Sequence, residues 1–409
     1  MRRSLAVGSV LATLLVLAMV AVPIAGARQS SRAGRFIVVL KRTTSSPGTL
    51  ARLHATRYGA RVGHVYRHAL RGYSATLSPD RAAALRTDPD VAAVVADLPV
   101  RAFAQTLPTG INRIDGELSS TASGNGSGSV DADIAIIDSG IATGHPDLNV
   151  VGGVNCVGGS SFNDDFGHGT HVAGTAAARD NADGVVGVAP GARLWAVKVL
   201  NAQGAGTTSQ VICGIDWVTG QAGTIEVANM SLGGIGPWGS HSRCDSAFDP
   251  MHPAICRSVA AGVTYAVAAG NSRTSLNSNN VVPAAYAEVI TVSALADFNG
   301  LPGGGAAATC RADIDDTLYN TSNFGADIDL IAPGVCILST YPPAGLATFS
   351  GTSMASPHVA GAAALYRAGN PAATPAQVKT ALQAAGNLSW NDADDPDPTK
   401  ERLLNINAL

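Results

Sequence analysis

From Asp133 to the C-terminus, short apolar runs alternate with stretches of helical spacing, and Gly or Pro marks the joins. The runs are residues 134–137, 194–200, 227–231, 263–269 and 289–292. Each is nearly continuous in apolar character, the pattern of strands buried on both faces of a parallel sheet. Strand followed by helix, repeated along the chain, predicts an α/β domain with helices on both sides of that sheet. In such sheets ligands bind beyond the carboxyl ends of the strands. Asp138 and Asn271 stand just past two of those ends.

The preceding part reads differently. Met1-Arg2-Arg3, an apolar stretch from Leu5 to Val22 and then Ala25-Gly26-Ala27 form the layout of a secretory signal peptide, so residues 1–27 are expected to be removed. The apolar stretch almost reaches spanning length, but the small-residue site favours cleavage over an anchor, and no later segment is long and apolar enough to span a bilayer. The mature protein is expected to be secreted. Residues 28–103 read as a small α+β unit: strands at 35–40, 72–77 and 91–95, helices near 50–58 and 81–86, the second capped by Ser78-Pro79-Asp80. That unit holds no nucleophile paired with a base, so its role is not chemical.

The net charge of −3 conceals an asymmetry. Residues 28–103 carry 13 basic and 4 acidic side chains, a net of +9, and residues 104–409 carry 12 basic and 26 acidic, a net of −14. Two such parts attract each other. The acidic C-terminal part also argues against nucleic acid as a partner, because phosphate contacts need clustered Lys and Arg.

Six cysteines, Cys156, Cys213, Cys244, Cys256, Cys310 and Cys336, all follow the leader. Export permits disulfides. Sequence leaves the connectivity open; sequential pairing is expected, above all Cys244 with Cys256, which would tie off one surface excursion. None has the paired spacing of a zinc site.

Three segments supply what peptide hydrolysis by a hydroxyl requires, namely a nucleophile, a base and a carboxylate to hold the base. Ala135-Ile136-Ile137-Asp138-Ser139-Gly140 delivers a carboxylate at a strand end. Gly167-His168-Gly169-Thr170-His171 starts a helix, and so does Gly351-Thr352-Ser353-Met354-Ala355-Ser356-Pro357-His358. A helix start sets backbone N–H groups and a positive dipole end beside a developing oxyanion. Alone, each piece is as readily a turn or an N-cap. Together, in the order Asp, His, Ser, they resemble the subtilisin-like serine proteases (peptidase S8). The resemblance runs from about Ala104 to the C-terminus and is strongest at 138–148, 168–174, 187–206, 231–234, 268–271 and 351–361.

The resemblance implies a three-layer α/β fold with a mostly parallel central sheet, preceded by an inhibitor I9-type pro-domain at 28–103 that assists folding and inhibits, with the catalytic domain at 104–409. It implies Ser353 as nucleophile, His168 as general base and then acid, Asp138 as the group orienting the imidazole, and Asn271 as side-chain donor to the oxyanion. It places an extended substrate between Gly204-Ala205-Gly206 and Ser231-Leu232-Gly233, with Ala268, Ala269 and Gly270 walling the first specificity pocket. Recognition by strand addition reads main chain, so selectivity is expected to be broad, with a preference for a large apolar residue. Arg101-Ala102-Phe103-Ala104 resembles the family's processing junction, and a cut between Phe103 and Ala104 is expected.

A structural calcium ion is implied as well, held by the side chains of Gln105, Asp147 and Asn181 and the carbonyls of Arg179, Asp183 and Val185; such hard oxygen ligands suit calcium. No catalytic cofactor is implied. The mature enzyme is expected to be a monomer acting on proteins and peptides. The acidic run from Asp392 to Asp397 reads as solvated side chains rather than a second ion site. His171 and His358 read as structural helix residues, since no HExxH pattern or further ligands accompany His171.

Relative to the shortest family members the chain is enlarged around 235–255 and 298–320, which touches the cleft but not the triad. An α/β-hydrolase is excluded by the broken GxSxG motif and by the order of the three residues. A non-catalytic binding module is disfavoured by the joint presence of Asp138, His168, Asn271 and Ser353.

Overall fold

A computed structural model of the chain describes residues 33–41, 46–97, 105–236, 244–245, 248–276 and 278–409. It divides into two compact units, Met1–Ala102 and Phe103–Leu409. The expected leader and the expected cut at Phe103 lie outside the described residues.

In the first unit the elements run strand Gly34–Leu40, helix Pro47–Tyr58, strands Arg61–Tyr66 and Gly72–Leu77, helix Pro79–Arg86 and strand Val91–Ala96. Strand Gly34–Leu40 lies between Gly72–Leu77 and Val91–Ala96, with Arg61–Tyr66 at the edge, all antiparallel. Both helices begin at a proline, whose missing N–H has no acceptor to lose in a first turn. Ser78 caps the second helix as expected, accepting from Arg81 N at 3.4 Å. The edge strand was not legible: Arg61, Gly63 and His64 are exposed and break its alternation.

In the second unit seven strands lie side by side in the spatial order Thr317–Leu318, Ile290–Ala296, Thr264–Ala268, Val227–Met230, Asp133–Asp138, Arg193–Lys198, Val150–Asn155, and Leu330–Pro333 also pairs with Ile290–Ala296. Every pairing is parallel except that of Thr317–Leu318. Asp133–Asp138 is an interior strand between Val227–Met230 and Arg193–Lys198, and the chain moves to one side of it first and the other side afterwards. Its carboxyl end is therefore a switch point, the place where such sheets bind ligands.

Side chains of that strand alternate between two cores. Ile134 and Ile136 pack with Val172, Val359 and Val378 from helices His168–Ala177, Thr352–Gly369 and Pro375–Ala385. Ala135 and Ile137 pack with Val211, Ile215 and Ile255 from helices Thr208–Gly220 and Met251–Ala260. Three layers result. Three disulfides, Cys156–Cys213, Cys244–Cys256 and Cys310–Cys336, join the cysteines in sequential pairs, and no cysteine is free. Among the described residues no helix is long and apolar enough to cross a membrane.

Candidate active site

Asp138 ends the interior strand Asp133–Asp138 and is fully buried. His168 opens the helix His168–Ala177, and its Nδ1 lies 2.9 Å from Asp138 Oδ1 and 3.0 Å from Oδ2. That approach needs glycine next to the histidine, because a Cβ on Gly169 would run into the carbonyl of Gly140. The helix is capped from a distance by Asp164, which accepts from Gly167 N at 2.9 Å and from Thr170 N at 2.9 Å and also binds Ser139 Oγ at 2.9 Å. Ser139 Oγ in turn accepts from Gly169 N at 2.9 Å. Asp164 thus fastens the strand end to the helix start. Sequence reasoning missed it, since it lies outside the motifs and four residues before His168.

Burial alone would depress the His168 imidazole, but the Asp138 carboxylate, its hydrogen bond and then Asp164 outweigh that effect and hold it above its ordinary value. Such an imidazole takes a proton readily. The other two helix histidines contrast with it. His171 Nε2 meets the carbonyls of Ile337 and Ala347 at 3.0 and 3.1 Å, and His358 Nδ1 donates to Met354 O at 2.8 Å. Burial lowers both to about 4, so they stay neutral at ordinary pH.

Ser353 stands in the first turn of helix Thr352–Gly369, whose initial N–H groups have no acceptor within the helix. Its Oγ donates to Ser231 O at 3.2 Å. Pro357 lies four residues further on and has no N–H, so the Ser353 carbonyl lacks its usual helical donor. Ser231 Oγ takes that place, donating to Ser353 O at 2.7 Å. Behind it, Asn229 Nδ2 donates to Ser231 Oγ at 2.9 Å and Ser356 Oγ donates to Asn229 Oδ1 at 2.7 Å. Asn229 and Ser356 were not anticipated. A polar residue within the otherwise apolar strand Val227–Met230 was the available signal.

Asn271 follows the strand Thr264–Ala268. Its Oδ1 accepts from Thr352 N at 2.9 Å and from Thr352 Oγ1 at 3.3 Å, and Thr352 Oγ1 accepts from Gly270 N at 3.0 Å. With the oxygen held, Nδ2 is the group's remaining donor. Asn271, His168 and Ser353 line one cavity, together with Cys310 and Arg311 from the 298–320 enlargement. A carbonyl entering that cavity can meet a hydroxyl, an imidazole and two N–H donors.

Gly204, Ala205 and Gly206 line a groove with His168, Ser231, Leu232 and Gly233, and Phe248 and Met251 of the 235–255 enlargement border it. Ala268 and Gly270 border an adjoining pocket with Leu232, Gly233 and Ser353. Ala269 departs from expectation. Strand alternation turns its side chain into the core behind the sheet, beside Tyr265 and Val267, so it adds no wall to the pocket.

Gln105, Asp147, Arg179, Asn181 and Val185 converge at the 178–187 loop. Gln105 Nε2 lies 2.8 Å from Arg179 O and 3.4 Å from Val185 O, and Asn181 Nδ2 lies 2.9 Å from Asp147 Oδ1. Asp183 is exposed there, its N–H bonded to Asn181 Oδ1 at 2.6 Å. Gly184 has φ +65°, and a Cβ there would strike the Asp147 carboxylate. Burial raises the Asp147 carboxyl above its usual range, more than the Val185 and Asn181 hydrogen bonds lower it. A half-turn of each carboxamide exchanges N–H for C=O and gives the loop an all-oxygen lining around a desolvated carboxylate. The donor set fits a hard cation.

Comparison with known proteins bears on both units. The subtilase family model matches residues 130–400, and a peptidase inhibitor I9 model matches residues 35–103. Subtilisin DY of Bacillus licheniformis is 42% identical over 288 residues, spanning 70% of this chain and 93% of that protein. Subtilisin NAT of Bacillus subtilis subsp. natto is 37% identical over 369 residues, 89% of this chain and 88% of that protein. The crystal structure of a cold adapted subtilisin-like serine proteinase superposes with a TM-score of 0.58 at 32% identity, covering 73% of this chain and 98% of that one.

Proposed function

The chain belongs to the subtilase family and is a serine endopeptidase; from that premise we propose that it is exported as a zymogen, cuts itself between Phe103 and Ala104, and then cleaves proteins after large apolar residues. The observation that carries the catalytic assignment is the hydrogen bond of His168 to buried Asp138, with His168, Ser353 and Asn271 lining one cavity.

An extended substrate lies between residues 204–206 and 231–233 and offers its main chain to both. Ser353 Oγ turns from the Ser231 carbonyl toward His168 Nε2, gives it the proton and attacks the scissile carbonyl. Asp138 holds Nδ1–H and stabilises the imidazolium. Asn271 Nδ2–H and the Ser353 N–H receive the developing oxyanion, and one such donor is worth about 3–4 kcal/mol of barrier, a magnitude that comes from subtilisin's own asparagine. His168 then gives its proton to the leaving amine, and water enters by the same route to release the acid.

The leader layout of residues 1–27 supports export, with residues 28–103 as the inhibitory pro-segment and 104–409 as the mature enzyme. Net charges of +9 and −14 favour association of the two. The pocket bordered by Ala268 and Gly270 has room for a residue such as Phe103, which makes the junction a substrate of the same preference. Calcium bound by Gln105, Asp147, Asn181 and neighbouring carbonyls would brace the mature N-terminus against the 178–187 loop, and it supplies no chemistry to the reaction. Expressing the wild type and Ser353→Ala side by side tests the proposal. The wild-type chain should begin at Ala104 and clear casein, and Ser353→Ala should keep the junction intact. A Ser353→Ala chain cut at the same bond would refute self-cleavage.

A further inference from the structure

A substrate passing Ser353 has two halves, and the cleft gives them different surroundings. Residues 204–206 and 231–233 line the groove for the acyl half, and Ala268 and Gly270 border the pocket for the residue before the cut. The cavity that His168, Asn271 and Ser353 share contains none of those cleft residues; Thr348, Phe349 and Met354 line it instead. With Ser353 as the nucleophile, this cavity receives the leaving half of the substrate.

Arg311 lines the same cavity and is held in place there. Its Nε donates to Asp313 Oδ2 at 3.0 Å and its Nη2 to Asn320 Oδ1 at 3.4 Å, and the guanidinium carbon lies 5.0 Å from the centroid of the Tyr319 ring. The anchor is itself fixed, for the Asp313 side chain is 1% exposed and also accepts from Asn320 N at 3.1 Å. The loop is fastened too. Cys310 is bonded to Cys336, whose N donates to Ser350 Oγ at 2.9 Å, three residues before Ser353. Ordering a long side chain costs entropy. In Arg311 that cost is met within the fold, before any ligand arrives.

What remains is a directed donor. Among the described residues Nη1 has no acceptor, and the Arg311 side chain is 37% exposed. No Asp or Glu lines the cavity, although residues 104–409 carry a net of −14. A guanidinium with N–H groups to spare matches a carboxylate better than any other group a peptide carries. We propose that Arg311 is a specificity determinant that binds a carboxylate on the leaving half of the substrate. Two sources offer that chemistry, an Asp or Glu among the first two residues after the cut and the C-terminus of a short peptide. The leaving half departs when the acyl-enzyme forms, so the preference belongs to acylation and is read in kcat/KM. The inference rests on the assignment of Ser353 and goes beyond it by giving the enzyme a preference on the far side of the bond.

The test gives the processed enzyme internally quenched peptides that share one sequence up to a single Phe before the cut. After it, one pair carries Glu or Gln at the first position, a second pair carries them at the second position, and both pairs are amidated. A third pair carries Ala at both positions and ends there, free or amidated. The expected result is a kcat/KM ratio of charged over neutral peptide of about two- to fivefold at low salt in at least one pair, the range of an exposed ion pair. The ratio should shrink toward one at about 1 M salt, where charges are screened beyond about 3 Å. Arg311→Gln should bring it to about one, Arg311→Lys should keep part of it, and Arg311→Glu should push it below one, an inversion that loss of packing alone does not produce. A gain in the Glu pairs assigns the carboxylate to a side chain, and a gain in the third pair alone assigns it to the chain end. Equal rates within every pair, or a wild-type ratio in Arg311→Gln, overturn the proposal and leave the protease reading intact. Failure to cleave any of the peptides overturns both.

Discussion

Pro357 deprives the Ser353 carbonyl of its helical donor, and Ser231 Oγ supplies the replacement. Ser231→Ala should therefore leave a polar group unpaired, at a cost of about 1–3 kcal/mol in stability and a lower kcat. Adding Pro357→Ala restores an N–H at the helical position and should recover part of both losses in thermal melts and single-turnover kinetics. A double variant no better than Ser231→Ala would show that the hydroxyl matters for another reason. Protonation offers a second test. Because His168 is held above its ordinary value of 6.5, kcat/KM should rise with pH through a midpoint above 6.5. Stability also rises with pH through the buried pair His171 and His358, lowered to about 4. Their unfolded forms bind protons first, so the stability they contribute is present above 6.5 and is lost as pH falls toward 4. In the Ser353→Ala background, His358→Leu should flatten that acid loss in denaturation midpoints.

Among the elements, what could be read from sequence and what could not divide along physical lines. Continuous apolar runs such as 134–137 declared themselves as central strands, because burial on both faces leaves no polar interruption. Arg61–Tyr66 escaped because an exposed edge strand carries no such mark. Asp138, His168 and Ser353 were legible from the segments around them, whereas Asp164, Asn229 and Ser356 act across the fold, and their partners are known only once the strands and helices are assembled. Ala269 was misplaced for a simpler reason: consecutive strand residues face opposite ways, so Ala268 and Ala269 cannot both wall one pocket. The disulfides admit a graded prediction. They close segments of 57, 12 and 26 residues for Cys156–Cys213, Cys244–Cys256 and Cys310–Cys336. Loop-closure entropy gives about 4 kcal/mol for the first, about 3.5 for the third and about 3 for the second, so paired Cys→Ala changes should destabilise most at Cys156–Cys213 and least at Cys244–Cys256 when urea melts are compared. Loss of Cys310–Cys336 should in addition alter KM, since Cys310 borders the cavity shared by His168 and Ser353.

At the scale of the whole chain, a basic N-terminal unit and an acidic enzyme unit are made as one polypeptide, and the reading of both rests on a single chemical claim. That claim is that Ser353, activated by His168, is the nucleophile. The most direct measurement treats the processed protein with a fluorophosphonate and locates the adduct by peptide mass mapping, with His168→Ala as the control. One adduct on Ser353, absent in His168→Ala and blocked by prior incubation with the isolated 28–103 segment, is the predicted result. Labelling of another residue, or of Ser353 equally well without His168, would contradict the account.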